Sequence, residues 1–320
     1  MKIENKKILL IGDLILDKYL IGDVNRISPE SPVPVVELKS EENKLGGLAN
    51  VALNIKNMGS EPIICSVVGN DNNGKLLKTL LNTNDIKVDY ILESFKRKTT
   101  VKTRVIGNNY QIVRFDDEIT TELKDDEYKI LFNNIKRLVE SNEIDIILLQ
   151  DYDKGVINGD LINDIKKLVR SKIPIIVDPK LRNFNNYSDI RLFKPNLKEF
   201  TDGLRLNTDL ELDEKLNVGT NILHKRGIEI VIVTLSEKGV YISYDYGKKT
   251  KIIPSETKNI IDVSGAGDTF ISILSTLLTT ELTIEQISYI SNVGSGLVCE
   301  LPGVVPVDLK KLKEKIEWIQ

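Results

Sequence analysis

The residues with the clearest chemical promise lie near the C-terminus, in Asp262-Val263-Ser264-Gly265-Ala266-Gly267-Asp268-Thr269. Gly265 and Gly267 let backbone N–H groups turn toward an anion with no Cβ in the way, and the apolar run from Phe270 to Leu278 predicts a helix behind them. A phosphate at that helix start would meet unpaired donors and a positive dipole end. Asp268, in the first turn, stands where a carboxylate can accept the proton of an attacking hydroxyl. Gly265, Ala266 and Gly267 as an anion turn, with Asp268 as base, suit phosphoryl transfer to an alcohol. The same turn also reads as a plain capped helix start, because Gly and Asp are common there.

Other candidates fall at predicted strand ends and turns. Asp13 ends the apolar run Lys7 to Gly12, and a carboxylate at the C-terminal end of a buried parallel strand points into a crevice where a sugar hydroxyl could donate to it. Gly46-Gly47-Leu48-Ala49-Asn50 opens a helix; its glycines permit close approach of a ligand, and Asn50 offers both donor and acceptor. Lys102, Arg104, Gln111 and Arg114 lie on a predicted ribbon, with Lys102 and Arg104 on one face, and could clamp an anion. Asp151-Tyr152-Asp153-Lys154-Gly155 and Asp178-Pro179-Lys180 follow successive strands and put charge at the same edge. Asn196 and Glu199 share one face of a starting helix and suit water-mediated contact with Mg²⁺, or simple capping. Thr234, Ser236 and Gly239 form a turn that could meet a nucleotide. The plainer readings are turn-forming Asp, helix caps and a solvated strand face; His224 is given no role.

These residues need a scaffold that brings strand ends together. Apolar runs at Lys7 to Gly12, Ile63 to Val68, Ile144 to Leu149, Ile173 to Val177 and Ile230 to Leu235 read as strands. Amphipathic segments near 47–58, 74–83, 121–140, 158–170 and 210–226 separate them, so a parallel sheet covered on both faces is expected. Asp17 to Lys39 and Thr99 to Asp116 break the rhythm with antiparallel ribbon, the latter around Gly107-Asn108-Asn109. Paired, they would make a small projecting lid, taking in about 17–40 and 97–116, on one α/β domain spanning 1–320. After Leu301-Pro302-Gly303 a short strand and a helix from about Leu309 to Trp318 are expected.

Composition narrows the function classes. A formal charge of −3 over 320 residues, with no basic block, argues against nucleic acid or an anionic membrane as partner. No segment reaches the roughly 18 apolar residues of a membrane span, and the N-terminus lacks a secretory pattern. Cys65 and Cys299 have no metal-ligand spacing and read as buried thiols, so a cytosolic protein is expected. Neither Gly-x-x-x-x-Gly-Lys-Ser/Thr nor a Gly-x-Gly-x-x-Gly after the first strand occurs.

In order along the chain, Gly12-Asp13, Gly46-Gly47 with Asn50, Asn196 with Glu199, and Asp262 to Asp268 resemble the PfkB/ribokinase family of sugar kinases. The resemblance covers almost the whole chain. It implies a ribokinase-like three-layer α/β/α sandwich with a mostly parallel sheet and a β-lid that often dimerises, ATP and Mg²⁺, and room for a monovalent cation. It also implies an anion hole at Gly265 to Gly267 with Asp268 as base. Implied substrate contacts are Asp13, Gly46, Gly47, Asn50, Lys102, Arg104, Arg114, Asp151 and Lys154; implied nucleotide contacts are Lys180, Asn196, Glu199, Thr234, Ser236, Gly239, Gly265 and Gly267.

Within the family, Arg26-Ile27-Ser28-Pro29-Glu30-Ser31-Pro32-Val33-Pro34-Val35-Val36, the Asp151 to Val156 segment, Asp178-Pro179-Lys180 and the basic ribbon resemble the D-glycero-β-D-manno-heptose-7-phosphate kinases of ADP-heptose synthesis. That implies phosphorylation of the C1 hydroxyl to the 1,7-bisphosphate, for lipopolysaccharide and related glycans. Many of those enzymes carry a C-terminal adenylyltransferase domain; here it is expected to come from a separate protein. Asp153 departs from the usual Gly, Ser264 from Thr, and Leu48 from a small residue. The alternatives are a PfkB-type kinase for another sugar, sugar phosphate or nucleoside, and a non-catalytic sugar or nucleotide sensor.

Overall fold

The computed structural model describes residues 6–170, 172–257 and 259–316. Strand β1 (Lys7–Gly12) sets the architecture. Its residues Ile8 to Ile11 are fully buried, and strand alternation sends Ile8 and Leu10 into one core and Leu9 and Ile11 into another. A strand buried on both faces requires helices on both sides.

The chain supplies them in order. β2 (Leu14–Ile27) and β3 (Pro34–Gly47) make a long hairpin, and α1 (Leu48–Asn57) starts where it returns. β4 (Glu61–Gly69), α2 (Asn72–Thr83) and β5 (Ile91–Ser94) follow, then the hairpin of β6 (Thr100–Gly107) and β7 (Tyr110–Asp117). The middle of the chain is α3 (Asp125–Glu140), β8 (Ile146–Gln150), α4 (Gly159–Val169), β9 (Ile175–Asp178), β10 (Leu192–Phe193), α5 (Leu197–Leu204), α6 (Leu212–Lys225) and β11 (Ile230–Thr234). β12 (Val240–Tyr244) and β13 (Lys249–Ile253) precede α7 (Ala266–Leu277), α8 (Ile284–Cys299) and α9 (Leu309–Ile316).

Among the described residues the main sheet has nine strands, in the order β13-β12-β11-β10-β9-β8-β1-β4-β5. It is parallel from β5 through β11, and β12 and β13 add an antiparallel edge. Val51 of α1, Leu77 of α2, Phe270 of α7, Ile287 of α8 and Leu312 of α9 fill one core; Leu131 of α3, Ile165 of α4, Phe200 of α5 and Leu216 of α6 fill the other. The result is the expected α/β/α sandwich. Among the described residues no helix is long and apolar enough to cross a membrane.

The second sheet is the lid, in the order β3-β2-β6-β7. Both hairpins are antiparallel, and they join through a parallel β2–β6 pairing from Ile15↔Thr100 to Gly22↔Gly107. Asn108 and Asn109 turn the second hairpin with φ of 51° and 68°, the left-handed pair that a tight two-residue hairpin turn requires. The first hairpin runs past the expected ribbon, because its register continues to Leu14↔Gly47 at the crevice.

Several expectations are corrected. Among the described residues no strand follows Gly303: Val304 N–H donates to the Tyr19 hydroxyl and Val307 N–H to Asn54 Oδ1, so side chains take the donors that a strand would have used. The predicted last helix begins at Leu309, and its expected end at Trp318 lies outside the described residues. β5, the β12–β13 hairpin and α8 were not anticipated. His224 is buried between the Ile228 carbonyl and the Ser243 hydroxyl, each 2.8 Å away, so its ring packs and bonds within the fold.

Candidate active site

The C-terminal ends of β1, β8 and β9 meet the N-terminus of α7, the crevice where open α/β sheets bind ligands. Gly265 is the N-cap of α7 with φ 82°, and no side chain caps the turn. A Cβ at Gly265 would lie 3.1 Å from Asn50 Nδ2, so glycine supplies both the backbone angle and the space. Asp268 follows in the first turn, 7 % exposed. Asn50 Nδ2 donates to its Oδ2 at 3.0 Å, and the Tyr152 hydroxyl donates to its Oδ1. Burial pushes the Asp268 carboxyl up to about 6, reinforced by the charge of Asp178 and opposed by the two donors and by Lys194.

Asp13 and Asp151 reach the same edge but face inward. Asp13 Oδ2 accepts from the backbone N–H groups of Tyr152 and Lys154, at 2.9 and 3.1 Å, and Oδ1 from that of Val156 at 3.1 Å. Burial raises its carboxyl against those three bonds. A carboxylate so engaged organises the loop after β8. Asp151 accepts from Asn183 Nδ2, the Tyr187 hydroxyl and Asp153 N–H at 3.0, 2.9 and 2.8 Å, and burial, with Asp13 nearby, pushes it up to about 6. Asp153 has φ 58°, in the left-handed region that glycine adopts without strain.

The lid brings its bases to the crevice side already paired. Register places Lys102 opposite Asp116 and Arg104 opposite Arg114, on the face that also carries Asp17 and Tyr19. Arg104 bonds Asp17, Lys102 contacts Asp116 at 2.7 Å, Arg114 contacts the same Asp116 at 3.1 Å, and Lys154 contacts Glu118 at 2.8 Å. Gln111 is exposed on β7. Asp17, only 4 % exposed, was not singled out from the sequence; its carboxylate packs against Gly46, where a side chain would collide with it. Gly47, with φ 54°, ends β3 and caps α1.

Asn196 and Glu199 make a reciprocal capping box at the start of α5, with bonds of 2.8 and 2.9 Å, and Lys180 pairs with the other Glu199 oxygen. Each Glu199 oxygen accepts one bond and retains a lone pair. That donor set fits a Mg²⁺ ion that arrives on nucleotide phosphates and keeps its waters, rather than a cage of protein ligands. Among the described residues no group of three or more acidic, His or Cys side chains could hold a metal alone.

Beside the turn lies a cavity of about 280 Å³ lined by Thr234, Ser236, Gly239, Ala266 and Gly267. Asn292, Ser295, Gly296 and Cys299 of α8 complete it, and none of these four was among the expected contacts. Lys180, Asn196 and Glu199 do not line it. A larger cavity, about 560 Å³, sits at the opposite, N-terminal edge of the sheet around Pro174, Arg191 and Glu229, remote from these residues. Lys194 is another buried base missed from the sequence: 3 % exposed, it pairs with Asp178 at 3.1 Å and holds its Nζ 3.9 Å from where a Gly267 Cβ would stand.

Residues 5–310 match the model of the pfkB family carbohydrate kinases. The chain belongs to that family. The family is one of carbohydrate kinases. Among curated relatives, the bifunctional protein HldE of Sulfurimonas denitrificans is 34 % identical over 312 residues, covering 96 % of this chain and 64 % of that protein. HldE of Helicobacter pylori strain J99 is 37 % identical over 312 residues, covering 96 % and 65 %. The kinase thus spans a little under two thirds of the relatives that it matches. Among solved structures, phosphofructokinase-2 from Escherichia coli superposes with a TM-score of 0.82 at 18 % identity, covering 98 % of this chain and 99 % of that one. Ribokinase of Arabidopsis thaliana, solved with ribose and ATP, gives 0.72 at 19 % identity, covering 96 % and 98 %. These two likenesses establish the ribokinase-like fold.

Proposed function

We propose that the kinase transfers the γ-phosphoryl group of ATP to the anomeric C1 hydroxyl of D-glycero-β-D-manno-heptose 7-phosphate. The observation that carries the chemistry is Asp268, a buried carboxylate with a raised pKa held by Asn50 and Tyr152 at an uncapped helix start. Similarity to HldE over 96 % of the chain supports the choice of sugar. The C1 oxygen attacks the γ-phosphorus while Asp268 takes its proton. The bond from that phosphorus to the bridging oxygen breaks, and heptose 1,7-bisphosphate and ADP result.

The N–H groups at Gly267 and Asp268, which no intrahelical carbonyl can reach, would stabilise charge on the transferring group. Asn50 and Asp17 would hold sugar hydroxyls, with Asp13 setting the loop beneath them. Arg104 and Arg114, opposite each other on the lid, would meet the 7-phosphate with Lys102 and Lys154 beside them. Thr234, Ser236 and Gly239 would line the nucleotide seat. Mg²⁺ would spread charge on the phosphates, contacted through water by Asn196 and Glu199.

A panel of acceptors assayed for ADP release tests the assignment. Heptose 7-phosphate is expected to give the highest kcat/KM, and a better unphosphorylated sugar would overturn it. That second reading has one observation in its favour: the lid bases Lys102, Arg104 and Arg114, and Lys154 beside them, already face carboxylates. Because Asp268 works only when ionised and its carboxyl lies at about 6, kcat/KM should fall about tenfold per pH unit below that value. A profile flat down to pH 4 would exclude it as base.

We also assign the lid's outer face to a second copy of the chain. Phe115 and Val113, opposite Thr103 and Val105, lie on the side away from Arg104, 52 % and 49 % exposed on an edge strand. Sedimentation should give a dimer that Phe115→Glu converts to monomer; a monomeric parent protein would exclude the interface.

A further inference from the structure

We propose that Tyr152 is a positioning residue for the base, and that Asp13 acts through it. This rests on the reading of Asp268 above. The carboxylate of Asp268 is gripped from two elements: Asn50 of α1 holds Oδ2 at 3.0 Å, and the Tyr152 hydroxyl, from the loop after β8, holds Oδ1. A base held at one oxygen can still rotate about its last bond; one held at both cannot.

Tyr152 can do this only because its own backbone is fixed. Its N–H donates to Asp13 Oδ2 at 2.9 Å, and Lys154 and Val156 donate to the same carboxylate, so alternate residues of the loop are pinned to the end of β1. Its ring is steadied by Lys180, whose Nζ stands 5.6 Å from the ring centroid while the ammonium pairs with Glu199. The buried carboxylate of Asp13, which makes no salt bridge among the described residues and feels the charge of Arg97, thus has a use: it sets the loop that aims the phenol.

The consequence is chemical as well as geometric. A hydroxyl donating to a carboxylate favours the ionised form, so Tyr152 opposes the burial that raises the base. The other charged groups around Asp268 are Asp178 at the end of β9, Lys194 after β10, and Lys180. Asp178 raises its proton affinity and Lys194 lowers it.

The test compares kcat/KM against pH for three proteins, using the best acceptor of the panel, alongside thermal melts. Tyr152→Phe removes one oxygen and keeps the ring. It should melt within a few degrees of the parent, keep KM for ATP, lose about tenfold in kcat, and move the acid limb up by roughly one pH unit. Incorporating 3-fluorotyrosine at 152, a stronger donor of the same shape, should move the limb down, and this sign is readable even if the Phe variant folds poorly. Limbs unmoved in both would overturn the proposal. Asp268→Asn separates the two readings: if it keeps parental turnover the base assignment fails, whereas if it is inactive and the Tyr152 limbs do not move, only the role of Tyr152 fails.

Discussion

Asp268→Asn should lower turnover by about 10³-fold or more while the protein stays folded and still binds nucleotide. The substitution keeps the shape and the Oδ1 acceptor for the Tyr152 hydroxyl, and removes the carboxylate that takes a proton from an attacking hydroxyl. Stability moves in the opposite sense. A carboxyl raised from 3.8 to about 6 in the folded protein favours folding below pH 4 and progressively loses that contribution as the pH rises through 6. Replacing it with a neutral amide removes a cost of roughly 3 kcal/mol at neutral pH, partly offset because the new NH₂ faces the Asn50 NH₂. The melting temperature at pH 7.5 should therefore equal or exceed that of the parent. Turnover within tenfold of the parent, measured by ADP release, would sink the assignment.

Gly12→Ala should destabilise the fold on the order of 3 kcal/mol, and do so directly under the active site. Gly12 has φ 152°, and a Cβ there would stand inside the van der Waals envelope of the Gln150 carbonyl on β8. The obstacle is backbone, with no rotamer to escape into. β1 and β8 must separate at Gly12↔Gln150, the rung from which Asp13 and the Tyr152 loop project. Both the melting temperature and kcat should drop, the former by about 5 °C or more. A variant that melts with the parent would show that the strand ends tolerate separation, and the tight pairing described here would lose its importance.

Much of the scaffold follows from local pattern. Continuous apolar runs such as Lys7 to Gly12 state burial on both faces, and the amphipathic segments between them state which helices cover the sheet. Asn108-Asn109 announces its hairpin, because few residue pairs tolerate two successive left-handed conformations. β10 escaped notice because it has two residues and is held by its neighbours on either side. The strand expected after Gly303 failed for the converse reason: Val304 and Val307 are buried, but side chains of Tyr19 and Asn54 claim their N–H groups.

The same division runs through the site. The glycine turn with Asp268 can be read directly from the chain, since backbone freedom, helix onset and carboxylate placement all act within a few residues. Its meaning as an anion hole grew stronger with the order of Gly12-Asp13, Asn50 and Asn196/Glu199 along the sequence. Tertiary structure decided which carboxylates are available and which are occupied. Asp13 faces a loop 139 residues away, Asn50 reaches Asp268 across 218 residues, and Tyr152 reaches it across 116. Asp17 gained importance only when β2 and β6 paired and brought Arg104 to it. Residue type sets what a side chain can donate or accept; only the packed fold sets what stands within 3 Å of it, and at that range the roles of identical carboxylates separate.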